Sequence, residues 1–226
     1  MVFKTVKRRV VEGLVLSVMA LFLINATITI PRRPPPPPAT VAIIQDSNLD
    51  TAHLDTARIN RMVAKAIDSA LGTGGITNLV HPGDTVLIKP NLVTNQLSAI
   101  TDWRVVRALV NVIKTASPAK IIIAEASALN NTFTIMNTYG YTTTNFPDVT
   151  LVDLNDIVTN PLNTYVLTDA LIGKNQQMAA IIYNANVFIT VPRMKTHGHC
   201  GITGALKNIG VGAPPFVIWN VPGVNN

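Results

Sequence analysis

Four short runs constrain this chain more than any other feature: residues 85–89 (TVLIK), 120–124 (KIIIA), 149–154 (VTLVDL) and Val187–Val191 (VFITV). Each is apolar at consecutive rather than alternate positions, so each reads as a strand covered on both faces. Segments of helical period lie between them. Residues 54–71 place Ile59, Met62, Val63, Ala66, Ile67 and Ala70 on one side, and Gly72 with the Gly74-Gly75 pair ends the helix. Thr101 is placed to cap a helix to about residue 115, with Val105, Val106, Leu109, Val110 and Ile113 inward. Residues 130–141 are weakly helical, and 176–184 read as a short helix. His81-Pro82-Gly83-Asp84 is a turn, and residues 41–46 (VAIIQD) read as a first strand. Strands alternating with helices predict an α/β fold, a three-layer domain with a mostly parallel sheet, over residues 40–226.

In such sheets ligands gather beyond the C-terminal strand ends. Read to their ends, the runs deliver Asp46, then Lys89, Pro90 and Asn91, then Glu125 and Ser127, then Asp153, and last Arg193, Lys195 and His197. Lys89 and Glu125 stand out, because each directly follows a run that should be buried. Asp46 and Asp153 read as turn or cap residues.

The densest chemistry lies in residues 187–212. Arg193, Lys195, His197, His199, Cys200, Lys207 and Asn208 crowd behind one strand, in a chain with only 13% charged residues. Lysines supply point charges for carboxylate or phosphate, and a neutral imidazole can move a proton near neutral pH. Gly198, Gly201 and Gly204 would let backbone approach a ligand, and the GITGALKN segment can pass from loop to helix with Thr203 near the cap. The competing reading is a solvated glycine-rich surface loop. Candidate catalytic residues are His197, Lys207 and Glu125; candidate ligand contacts are Lys89, Asn91, Arg193, Lys195, Thr203 and Asn208. Glu125 reads equally as a general base or as the ion-pair partner of Lys89 or Lys195. His197, His199 and Cys200 form an H-x-H-C cluster that matches no standard structural zinc spacing.

Several classes are excluded. A single cysteine cannot supply the roughly four thiolates of an iron–sulfur cluster. There is no G-x-x-x-x-G-K-[ST] loop and no G-x-S-x-G elbow. Six of the 18 basic residues and one of the 12 acids lie in residues 1–38, which leaves twelve and eleven in the body. A nearly neutral body with 5% aromatics lacks a nucleic-acid footprint.

Residues 1–30 carry Lys4, Lys7, Arg8 and Arg9 before an uncharged run from Gly13 to Pro31. Its apolar centre, residues 14–24, falls between a signal core of about 7–15 residues and a span of about 20. No A-x-A site follows, so an uncleaved transmembrane anchor is favoured over a cleaved signal peptide. The basic cluster places the body outside the cytoplasm. Residues 31–39, with prolines 34–38, form a stiff spacer.

VLIKPNLV (86–93), IIIAEAS (121–127) and VPRMKTHGHCGITGALKNIGVG (191–212) resemble the domain of unknown function 362 family. The resemblance implies that some relatives are exported and that many are joined to ferredoxin-like iron–sulfur modules, so a ferredoxin-like partner is implied for a chain without one. It also implies a continuation after residue 212, from which the body is expected to be C-terminally shortened, leaving apolar residues 216–219 without a cover. His197, Gly201, Thr203, Gly204 and Lys207 are spaced as in nickel-pincer lactate racemases. That likeness implies a histidine acid/base and a lysine cofactor tether. The chain departs from those enzymes at 89–101, where KPNLVTNQLSAIT replaces their D-x-T-R-P segment. The expected function is an exported, membrane-tethered protein that binds or transforms a small anionic metabolite. The alternatives are a non-catalytic redox-partner module and racemase-like proton transfer on a hydroxy acid.

Overall fold

A computed structural model of the chain describes residues 39–47, 55–128, 131–166, 175–198 and 200–215. The expected membrane segment, nearly all of the proline spacer, His53, His199 and residues 216–226 lie outside the described residues. Among the described residues no helix is long and apolar enough to cross a membrane.

Helix α1 (Thr56–Leu71) starts where the Asp55 carboxylate accepts the Ala57 N–H at 2.8 Å. It stops at Gly72, whose φ of 72° suits glycine. After a 3-10 turn at Gly75–Asn78, the His81–Asp84 turn closes through Asp84 N–H to His81 O at 3.1 Å and feeds β1 (Thr85–Pro90). Helix α2 (Trp103–Lys114), β2 (Lys120–Glu125), α3 (Thr132–Thr138) and β3 (Thr150–Asp153) follow. Next come β4 (Leu162–Val166), β5 (Asn175–Ala179), α4 (Ala180–Tyr183) and β6 (Val187–Val191). The described elements end with β7 (Lys195–His197), β8 (Gly201–Thr203) and α5 (Ala205–Gly210).

The main sheet has four parallel strands in the order β3-β2-β1-β6. Side chains alternate across it, as a period of two demands. Val86, Ile88, Ile121 and Ile123 enter one apolar cluster with α1, α2 and α3; Leu87, Ile122, Ala124 and Val152 enter a second with Ala179 and Ile182. Each fully buried aliphatic side chain contributes about 1.5–3 kcal/mol. The continuous apolar runs are therefore accounted for by cover on both faces. Helices supply one cover. The other is built by β5 and the one-turn α4, which puts a hairpin where a second helical layer was expected.

Three expectations are corrected. Residues 41–46 form no strand; Val41 and Ile43 are exposed, and Asp46 meets the Arg58 guanidinium at 3.3 Å. Apolar sequence alone does not make a strand without a neighbour to pair with, and none is present among the described residues. Residues 176–184 are only half helical, because Asn175–Ala179 pairs antiparallel with Leu162–Val166. The α2 cap is Asp102, which accepts the Arg104 N–H at 2.9 Å. Thr101 is instead buried, and its hydroxyl joins two strand ends.

Candidate functional site

From β1 the chain moves across the sheet to β2 and β3, and β6 then adds on the other side of β1, so the direction of progression reverses between β1 and β6. The crevice at such a switch point lies beyond the strand C-termini. Lys89 is the penultimate residue of β1, Glu125 ends β2, and Thr190 with Val191 ends β6. The polar groups expected at this edge are thus brought together by the register, in which Lys89 stands opposite Thr190.

The Lys89 ammonium forms an ion pair with Glu125 Oε1, with both side chains buried. Glu125 Oε1 also accepts the Ala126 N–H at 2.8 Å, and Oε2 accepts the Leu92 N–H at 2.7 Å. Both oxygens are engaged, which is the arrangement a buried carboxylate requires. Of the two readings open for Glu125, the ion pair is the one formed.

Asn208, on α5, is the hub. Its Oδ1 accepts from Lys89 Nζ at 3.3 Å and from Asn91 Nδ2 at 3.2 Å. Its Nδ2 donates to Lys89 O at 3.2 Å, Pro90 O at 3.1 Å and Thr190 Oγ1 at 2.8 Å. Asn91 Oδ1 in turn accepts from Lys195 Nζ at 2.7 Å, and Lys195 also donates to the Ala99 carbonyl. A continuous polar chain therefore runs Glu125–Lys89–Asn208–Asn91–Lys195. Beneath it, Thr101 Oγ1 donates to Val191 O at 2.6 Å and accepts from Asn91 N at 3.0 Å.

Beside this chain opens a cavity of about 220 Å³. Lys207, Thr203, Asn91 and Asn208 supply its polar lining. Val93, Ala126, Ala128, Val211 and Pro214 supply the apolar wall, with Gly212 between them. Lys207 is half-buried and Thr203 buried, and neither side chain has a hydrogen-bond partner among the described residues. Burial pushes the Lys195 ammonium below its ordinary range, and the charges of Lys207 and Arg193 push it the same way. A larger hollow, about 470 Å³, lies at the opposite edge between Lys114, Lys120, Asp148 and Thr150. Lys114 there is paired with Asp148 at 2.9 Å, and none of the strand-end groups lines it.

The remaining candidates sit on the periphery. Arg193 is exposed beyond β6. His197 is half-buried at the end of β7, its Nδ1 accepting from Cys200 N at 3.3 Å, and it is outside the cavity lining. Cys200 is exposed and not in a disulfide. The segment expected as a loop is a small hairpin, with Lys195 opposite Thr203 and His197 opposite Gly201. Thr203 closes β8, and the residue before α5 is Gly204, which makes no side-chain cap. Among the described residues no group of three or more His, Cys, Asp or Glu stands ready to hold a metal. Of the two residues that the racemase likeness implies, Lys207 lines the cavity and His197 does not. Thr190, Thr101 and Gly212 are further parts of the site, beyond the residues expected from the sequence. Their signal was weak: two threonines at strand and helix margins, and one glycine in a glycine-rich stretch.

Residues 86–217, more than half the chain, match the model of the family described as "Domain of unknown function (DUF362)". The chain belongs to the DUF362 family. The match takes in all the strand-end residues named above from Lys89 to Asn208. This DUF362 chain is 29% identical over 139 residues to a thylakoid-associated protein of Synechocystis sp.. The alignment covers 60% of this chain and 41% of that protein, so the chain spans less than half of its relative's length. Among solved structures, it is similar to the lactate racemase apoprotein of Thermoanaerobacterium thermosaccharolyticum, with a TM-score of 0.49 and 17% identity. That similarity covers 70% of this chain and 37% of the other.

Proposed function

We propose that this DUF362 domain binds a small anion at the C-terminal edge of its parallel sheet, with Lys207 as the charged contact. One observation carries the reading. Lys89 is neutralised by Glu125, and Lys195 is held by two oxygens, whereas Lys207 lines a cavity with no hydrogen-bond partner among the described residues. Lys195 and Arg193 add positive potential nearby: burial first, and then the charges of Lys207 and Arg193, push the Lys195 ammonium down. Glu125 serves to anchor the polar chain, since both its oxygens are occupied. Calorimetric titration of small carboxylates and phosphates into the wild type and Lys207→Ala tests the site. Loss of a hydrogen bond to a charged group should weaken binding by about 1.5–3 kcal/mol. Equal affinities in the two proteins would refute it.

We propose further that residues 1–30 tether the domain to a membrane, with the body outside the cytoplasm. The basic cluster before an uncharged run supports this, and the thylakoid association in the relative's name supports a membrane location alone. Intact-mass measurement on protein from the membrane fraction checks it. A mature chain beginning near Pro31 would mean a cleaved signal instead.

A further inference from the structure

The polar groups around the cavity are not equally available to a ligand. The Asn208 amide is committed at both ends, with two donors on Oδ1 and three acceptors around Nδ2. Asn91 Oδ1 is taken by Lys195, and one of its amide hydrogens by Asn208. The polar groups of the lining residues left uncommitted are the Lys207 ammonium, the Thr203 hydroxyl and the second Asn91 N–H. All of these can donate, and the hydroxyl alone can also accept. The rest of the wall is Val93, Ala126, Ala128, Val211 and Pro214.

That inventory selects a ligand. Lys207 is the one cation among the described residues that lines the cavity, which matches a single negative charge. A phosphate dianion or a dicarboxylate would bring a second charge with no second cation in the lining to meet it, since Lys195 is held by Asn91 and the Ala99 carbonyl. A polyhydroxylated body would bury hydroxyls with no partners. An apolar body meets an apolar wall, and its burial is favourable. At about 30 Å³ per water in the liquid, the cavity of about 220 Å³ has room for a molecule of modest size.

On the anion-binding reading above, we infer that the site takes a monocarboxylic acid with a short aliphatic or aromatic body. Its carboxylate sits among Lys207, Thr203 and Asn91. Its body lies against Val93, Ala126 and Val211.

The test is a calorimetric series on the full chain: acetate, butyrate, hexanoate and benzoate, against inorganic phosphate, succinate and gluconate. The expected result is affinity that rises about fourfold per added CH₂ until the cavity is full. Binding of every monoacid should fall at least about tenfold in Lys207→Met, as loss of a charged hydrogen bond implies. Thr203→Val, which should lose less, keeps the test decisive if Lys207→Met does not fold. Phosphate, succinate or gluconate binding tighter than butyrate, with the same Lys207 dependence, would overturn the ligand class and leave the anion site standing. Absence of Lys207-dependent binding for every anion would overturn both.

Discussion

Lys89 and Glu125 form an ion pair in which the side chains are 0% and 2% exposed, at the ends of two adjacent parallel strands. Removing one member leaves an uncompensated buried charge, which costs about 3–5 kcal/mol. Lys89→Met and Glu125→Gln should each be strongly destabilised in urea unfolding. The double variant should lose markedly less than the sum of the two. Additive losses would mean that the two groups do not act as a pair.

Gly212 packs against Lys89 and Asn208. A Cβ there would stand 2.9 Å from Asn208 O and 3.3 Å from Lys89 Nζ. Gly212→Ala should therefore cost about 1–3 kcal/mol of stability, the range for overpacking, and should weaken ligand binding by displacing Asn208. Wild-type unfolding and binding in that variant would show that the helix end moves freely.

Two other glycines separate backbone strain from collision. Gly72 (φ 72°) has open space around its Cβ position, while at Gly140 (φ 84°) a Cβ would fall 2.5 Å from Trp103 Cδ1. Backbone at positive φ with extended ψ, as at Gly72 (ψ −158°), costs an alanine about 1–3 kcal/mol. Gly72→Ala should lose that amount and Gly140→Ala clearly more, by thermal unfolding.

Acid stability should depend on Asp102. Burial would raise its carboxyl, but the hydrogen bonds from Arg104 and the Arg104 charge outweigh this and hold it below 3.8. A carboxyl depressed on folding contributes stability above its unfolded pKa, and that contribution is lost as pH falls through the folded value. Asp102→Asn keeps an acceptor at the helix cap and removes the charge. It should be less stable at neutral pH, with the difference from wild type shrinking below about pH 4, near the unfolded aspartate pKa. Asp102→Ala should lose about 0.5–2 kcal/mol more, as helix caps do. A pH-independent gap between Asp102→Asn and the wild type would exclude the contribution of the charge.

What could be read in the sequence follows from what local patterns encode. The strands holding Val86–Ile88 and Ile121–Ala124 were legible, because burial on both faces leaves an unbroken apolar run; Val187–Val191, at the end of the sheet order, is buried at Val187 and half-buried beyond it. Residues 41–46 show the same pattern and are unpaired, since pairing is decided by a distant partner that no local window contains. The β5 strand was hidden because Gln176 and Gln177 carry no apolar alternation, and its hairpin partner lies across residues 167–174. At the site, Lys89 and Glu125 were conspicuous as charges after buried runs. Asn208 was a plausible contact, but its bridging of two strand ends is a tertiary fact. Val93, Ala126 and Val211 look like ordinary core residues, so the apolar half of the cavity had no sequence signature.

Lys207 and the cavity beside it should hold a small anion, and anomalous diffraction from crystals soaked in 3-bromopropionate would locate one. A bromine peak is expected inside the cavity, with the carboxylate in hydrogen-bond reach of Lys207 Nζ and Thr203 Oγ1. A cavity empty at saturating concentration, with the Lys207 ammonium turned into bulk solvent, would contradict it.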